Sequence, residues 1–320
     1  MSAKLLDDDC ACKRYSFIPS ERNRIPAPLP FIIREDDLPK NQKILVFLPH
    51  SDDGRYFGAS LYYMNSHGDN KIKIVVMSPG YHGVDEDISK ENKIEKRWAE
   101  TICWAESLGF KQSQIVNFRA DTTYDTQKIH HADKEKVRWL IGYEDPTMIF
   151  IPHIGDTSQS MNYNTRTMVM SSLTRWITEK HKEDNEKKSV LIFEYPTNNV
   201  PFIPPSDKNL IIELDASIAE VKHQANKAHE SQSKSGFDMT ERMVEAVGAV
   251  TDADKLHQAH KQRRYTRFMS GVDINPNTSR GEHFGITKIR VKGDTEFRII
   301  EEQVKFPLNS ADKKKWTTGD

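Results

Sequence analysis

Four consecutive residues, His50-Ser51-Asp52-Asp53, follow directly on an apolar run. One imidazole and two carboxylates this close together can place two donors on a divalent cation and leave one acid to accept a proton. Imidazole nitrogen and carboxylate oxygen both suit zinc, whose catalytic sites use three protein donors and a water. The metal draws the pKa of that water down toward ~7, and a neighbouring carboxylate can then take its proton. The same residues can also do less, because an aspartate at a helix start is a common N-cap. H-x-D-D alone leaves both roles open.

The elements that must hold this cluster are legible around it. Residues 43–49 (KILVFLP) form a short apolar run bounded by turn residues, the pattern of a buried strand. Residues 71–78, 114–119, 147–152 and 189–194 have the same character, and residues 210–214 form a further strand. Helix-length segments lie between them at 58–66, 89–108, 127–141 and 164–180, with another at 217–231. Within 89–108, Ile94, Trp98, Ile102 (with Thr101), Ala105 and Leu108 fall near helical spacing and define its expected inward face. Alternating strands and helices predict βαβ units, hence a Rossmann-like, doubly wound, mostly parallel α/β sheet with helices on both faces. Residues 286–291 and 295–304, around the turn-like 292–294, predict a C-terminal β-hairpin packed on it. Residues 236–267 read as helical.

In such sheets ligands bind at the carboxyl ends of the strands. The residues there are His50, Asp52 and Asp53 after the first strand and His82 after the second. Asp121 follows the third, and His153 the fourth. Imidazoles and carboxylates thus gather on one rim.

Composition narrows the partners. A net charge of −1 supplies no global field for nucleic acid or an anionic membrane. The basic runs at 260–268 and 313–316 are short and read as solvated surface. No apolar run reaches the roughly 20 residues that span a bilayer, so no membrane insertion is expected. Residues 1–17 lack a basic stretch followed by an apolar one, so they are not read as a secretory signal. Three cysteines, Cys10, Cys12 and Cys103, cannot all pair, which points to a reducing cytoplasm. Five prolines among residues 19–39 predict an extended arm over 1–40, with one domain over 41–306 and a polar tail over 307–320. No G-x-G-x-x-G follows the first strand and no G-x-S-x-G occurs, so neither dinucleotide binding nor a nucleophile elbow is indicated.

Several segments, taken in order, resemble the PIG-L (LmbE-type) deacetylase family. Residues 44–60 (ILVFLPHSDDGRYFGAS) are similar to its opening strand and H-P-D-D-E, and residues 75–83 (VVMSPGYHG) to its second strand and T-x-G-E-x-G loop. Residues 97–110 resemble R-x-x-E and a helix ending in L-G, and residues 118–121 (FRAD) an aromatic-x-x-Asp segment. Residues 222–232 (KHQANKAHESQ) resemble K-x-x-A-x-x-x-H/Y-x-S-Q, and residues 280–284 (RGEHF) the closing A-E-x-F. The resemblance implies a zinc-dependent N-deacetylase acting on an N-acetylated sugar or sugar conjugate. It makes His50 and Asp53 metal donors and Asp52 the general base. It turns Arg97 and Asp121 toward the substrate, although Arg97 is also spaced to pair with Glu100 along its helix.

The chain departs from the family at the third donor. The H-x-D-H after the fourth strand reads Ser158-Gln159-Ser160-Met161, so Ser158 stands for the oxyanion-stabilising histidine and Met161 for the ligand. Thioether sulfur is a poor donor to zinc. The proline and glutamate of H-P-D-D-E are Ser51 and Gly54. Two expectations follow: a substitute donor among His153, His82 and His229 with hydrolysis kept, or a catalytically silent member that binds a carbohydrate or a protein.

Overall fold

The computed structural model describes residues 31–81, 84, 87–120, 128–153, 160–184, 189–195, 210–232, 281–292 and 298–303. His82, Asp121, Ser158, the stretch at 236–267, the basic runs at 260–268 and 313–316, the tail at 307–320 and the arm up to residue 30 lie outside them. The strands are β1 (Phe31–Arg34), β2 (Lys43–Leu48), β3 (Lys71–Val76), β4 (Ile115–Asn117), β5 (Met148–Pro152), β6 (Ser189–Tyr195), β7 (Leu210–Glu213), β8 (Gly281–Lys292) and β9 (Arg298–Gln303). The helices are α1 (Gly58–His67), α2 (Lys90–Ser107), α3 (His131–Glu144), α4 (Ser160–Asp184) and α5 (Ala216–Asn226).

The strands form one sheet in the order β1-β7-β8-β6-β5-β2-β3-β4, with β9 paired to β8. Its centre, β6-β5-β2-β3-β4, is entirely parallel. β8 then joins antiparallel to β6 and β7, extending the sheet edge to edge. β9 pairs antiparallel with β8, and residues 293–297 between them lie outside the described residues. Phe31–Arg34, inside the expected arm, pairs as β1 with β7.

Both faces of the central strands are buried, which is why β2 reads as an unbroken apolar run rather than an alternating one. Its side chains nevertheless divide with period two. Ile44, Val46 and Leu48 join Trp104, Leu108 and Phe57 on the face covered by α1, α2 and α5. Leu45 and Phe47 join Val137, Leu140, Leu173 and Trp176 under α3 and α4. Each fully buried side chain of this size stabilises by roughly 1.5–3 kcal/mol, so the central strands make a rigid platform.

The chain runs from β2 outward through β3 and β4, then crosses back to place β5 on the other side of β2. The connections after β2 and β5 therefore diverge, which makes the carboxyl ends of these strands the topological switch point where such sheets bind ligands. α2 borders it. Ser89 caps that helix by accepting from the Asn92 backbone N–H, and Gly109, with φ +78°, ends it.

The inward face of α2 differs from the expected one. Trp98 and Ile102 are half-buried, whereas Arg97, Glu100, Thr101 and Trp104 are buried together with Ala105 and Leu108. Thr101, Ala105 and Leu108 are buried as expected, but the stripe is rotated to take in Trp104 and two charged residues, Arg97 and Glu100, that hydropathy periodicity leaves out.

Candidate active site

β2 ends at Leu48 and the chain turns through His50-Ser51-Asp52 into a single 3-10 turn, Asp53–Tyr56, before α1. The side chains of His50, Ser51, Asp52, Asp53 and Arg55 are all buried on this turn. Asp52 occupies the N-cap position of the turn, yet its side chain makes no capping bond. It is used elsewhere.

One Asp52 oxygen, Oδ1, accepts from the Arg97 guanidinium at 2.7 Å. The other, Oδ2, lies 2.9 Å from Nη2 of Arg55. Arg97 also donates from Nε to the Ser51 hydroxyl at 2.7 Å. Burial would raise the Asp52 carboxyl, but Arg55 and Arg97, with smaller help from His229 and His50, outweigh it and hold it well below the usual carboxylate range. Arg97 is therefore a buried partner of Asp52 and not a surface partner of Glu100. Glu100 instead accepts from the backbone N–H and hydroxyl of Ser231, at 2.9 and 2.7 Å.

Asp53 turns back on its own loop. Its Oδ2 accepts from the His50 backbone N–H at 2.8 Å and lies 3.0 Å from the His50 Nδ1. Two donors on one tetrahedral zinc, with bonds of about 2.0–2.2 Å, stand about 3.3 Å apart. The His50–Asp53 pair is near that spacing, so it fits two positions of a catalytic zinc. The third is the difficulty.

Met161 is fully buried in the apolar cluster with Met168, Leu173 and Trp176. His153 ends β5 beside Glu194, with Nε2 3.5 Å from its Oε2, and Glu194 in turn accepts from Arg166 at 2.6 Å. His229 is buried 6.0 Å, ring to ring, from Trp104, and among the described residues neither ring nitrogen has a hydrogen-bond partner. Burial pushes its imidazole down to about 3, with nearby Asp52 opposing and Arg55 and Arg97 adding to the shift. Among the described residues no three of His, Cys, Asp and Glu come together to hold a metal. The described donor set thus does not complete a zinc site.

The segment 222–232 acts as a brace. Lys222, buried on α5, donates to the Tyr56 carbonyl at 3.0 Å, and Asn226, one turn later, to the Arg55 carbonyl at 3.3 Å. These bonds hold the 3-10 turn from below, while the Glu100–Ser231 pair ties α2 to the turn that carries His229. Hydrogen bonds to a charged group contribute about 1.5–3 kcal/mol each, enough to fix the loop.

Three functional features escaped the sequence pattern. Arg55 lies three residues after Asp52 and, at that spacing in a turn, reaches its carboxylate. Trp104 fills the space beside Gly54. The Glu194–Arg166–His153 cluster joins β5, β6 and α4 across more than forty residues. For Arg55 alone a signal existed, the i,i+3 acid–base spacing.

Residues 45–169 match the family model described as PIG-L: GlcNAc-PI de-N-acetylase. No curated relative matches the chain. Among solved structures, N,N'-diacetylchitobiose deacetylase from Pyrococcus horikoshii is similar at 19% identity and TM-score 0.52, over 77% of this chain and 84% of that one. The 4-carboxy-2-hydroxymuconate hydratase from Pseudomonas putida is similar at 13% identity and TM-score 0.50, over 76% and 95%. A conserved protein from Thermus thermophilus is similar at 18% identity and TM-score 0.50, over 76% and 94%. At these identities the likeness is one of fold, and that fold carries both a deacetylase and a hydratase. Residues 45–169 are thus similar to the PIG-L family model, and the chain has an α/β fold like that of the LmbE-type deacetylases.

Proposed function

We propose that this chain binds an N-acetylated sugar or sugar conjugate at the carboxyl ends of the central strands and is silent as a hydrolase. The observation that carries this reading is the clamp on Asp52, with each carboxylate oxygen paired to a buried guanidinium. A general base works best with a pKa near the working pH. A carboxylate held far below that range by two cations is a poor proton acceptor. The place of the third donor, Met161, lies in the apolar core. The ligand class is supported by the family description and by the diacetylchitobiose deacetylase of like fold. The three cysteines, read as thiols of a reducing compartment, support a cytoplasmic setting.

A second reading, a zinc-dependent N-deacetylase, is favoured by one observation, the near-ligand spacing of His50 and Asp53. One experiment separates the two. The protein is incubated with N,N'-diacetylchitobiose and N-acetylglucosamine, with and without added zinc, while acetate release and ligand-observed NMR are recorded. Saturation transfer to the sugar without acetate is the expected result. Acetate release that requires the added zinc would establish the deacetylase, and absence of both signals would remove the sugar as the ligand.

A further inference from the structure

We infer that the Arg55 guanidinium supplies, to the buried Asp52 carboxylate, positive charge of the kind that a divalent cation supplies in a metal hydrolase, so that this carboxylate is compensated without a metal. The inference rests on the silent reading above and deepens it by addressing what holds the rim together.

The argument begins with charge. Asp52 and Asp53 are adjacent and both buried, and two carboxylates this deep need compensation. Arg97 from α2 donates to Asp52 Oδ1 and to the Ser51 hydroxyl. The second cation is Arg55, whose Nη2 closes on Asp52 Oδ2. Asp52 thus has a guanidinium on each oxygen, while Asp53 accepts from the His50 backbone N–H. A zinc ion between His50 and Asp53 would add two positive charges beside two buried cations, where the low dielectric strengthens the repulsion.

The inward position of Arg55 is built into the fold. A β-carbon at residue 54 would lie 2.3 Å from the Trp104 ring, so the turn packs directly on the indole and tolerates only glycine there. Where the family resemblance places a glutamate, the space is filled by Trp104, and the next residue carries a cation instead of leaving an acid. Asn226 holds the Arg55 carbonyl and Lys222 the next one, so the guanidinium is aimed by a braced backbone.

The test uses the full chain, purified without chelators, as wild type, Arg55→Ala, Arg55→Lys and His50→Ala. Zinc content is measured by mass spectrometry, and melting temperature is followed with EDTA and with excess zinc chloride. The expected result is a wild type with substoichiometric zinc and a melting temperature indifferent to both additions. Arg55→Ala should melt lower in EDTA and regain part of the loss with zinc, because removing the guanidinium leaves the carboxylates to a metal ion. Arg55→Lys, which keeps the charge, should stay indifferent to zinc and guards against an alanine variant that fails to fold. A wild type carrying about one zinc per chain, lost in His50→Ala, overturns the inference. So does an Arg55→Ala protein equally destabilised with and without zinc. Zinc binding without acetate release would sink this inference and leave the silent reading standing. Acetate release from metal-free protein would do the reverse.

Discussion

The Trp104 indole lies where the side chain of residue 54 would begin: a β-carbon on Gly54 would stand 2.3 Å from its Cη2 and 2.6 Å from its Cζ2. Trp104 is fully buried in the cluster with Phe57, Leu48 and Leu108, so the ring has nowhere to go. Contact between these two residues sets how closely the H-x-D-D loop approaches α2.

Gly54→Ala is therefore expected to destabilise by about 1–3 kcal/mol, the usual cost of overpacking a filled core. Urea unfolding followed by tryptophan fluorescence checks this, and a change under a few tenths of a kcal/mol would show that the ring can yield. Gly54→Glu, which restores the family-like residue, should be worse and not better.

Asp52→Asn removes the charge that two buried guanidiniums share. Breaking a buried pair from one side costs about 3–5 kcal/mol, so this variant should be among the least stable on the rim. Chemical denaturation of Asp52→Asn and of the double variant Asp52→Asn/Arg55→Gln should show the second change recovering part of the loss. Simple additivity of the two changes would deny the coupling.

The buried His229 makes stability depend on pH. Its folded value is pushed from 6.5 to about 3 by burial, so the unfolded chain takes up the proton first as pH falls. Stability from this group is fully present above pH 6.5 and is lost progressively as pH falls toward about 3. The slope approaches ~1.4 kcal/mol per pH unit in that window. His229→Phe should flatten the curve by that amount between pH 6 and pH 4 in urea titrations. An unchanged slope would mean that the imidazole is protonated in the folded state.

Met161→His tests whether the third donor can be restored by sequence alone. Residue 161 sits at the start of α4 among Met168, Val169 and Leu173, with no exposed surface. Burying an imidazole there without a partner costs about 1–3 kcal/mol. Lower stability and unchanged zinc uptake are expected, and stoichiometric zinc in the variant would show that α4 can turn its first residues toward His50.

Much of the fold was legible from the chain alone. Apolar runs bounded by turn residues locate β2, β3, β5 and β6 to within a residue or two, because a strand buried on both faces admits little else. Alternation with helices implies the parallel order and, through it, the rim on which His50, Asp52, Asp53 and His153 stand. The type and place of these residues follow from local sequence. Their partners do not. Arg97 closes on Asp52 from 45 residues away, because that pairing is set by packing of α2 against the turn, whereas Arg55 reaches the same carboxylate from three residues away. The inward stripe of α2 was misplaced for the same reason, since Arg97 and Glu100 are buried by their partners and not by their hydropathy. Sequence alone determined an α/β sheet with an H-x-D-D rim and a missing third donor. Only the tertiary structure decided that the acid at its centre is held by two cations, because charge compensation in a buried site depends on what the fold brings within hydrogen-bonding distance, which the chain order does not encode.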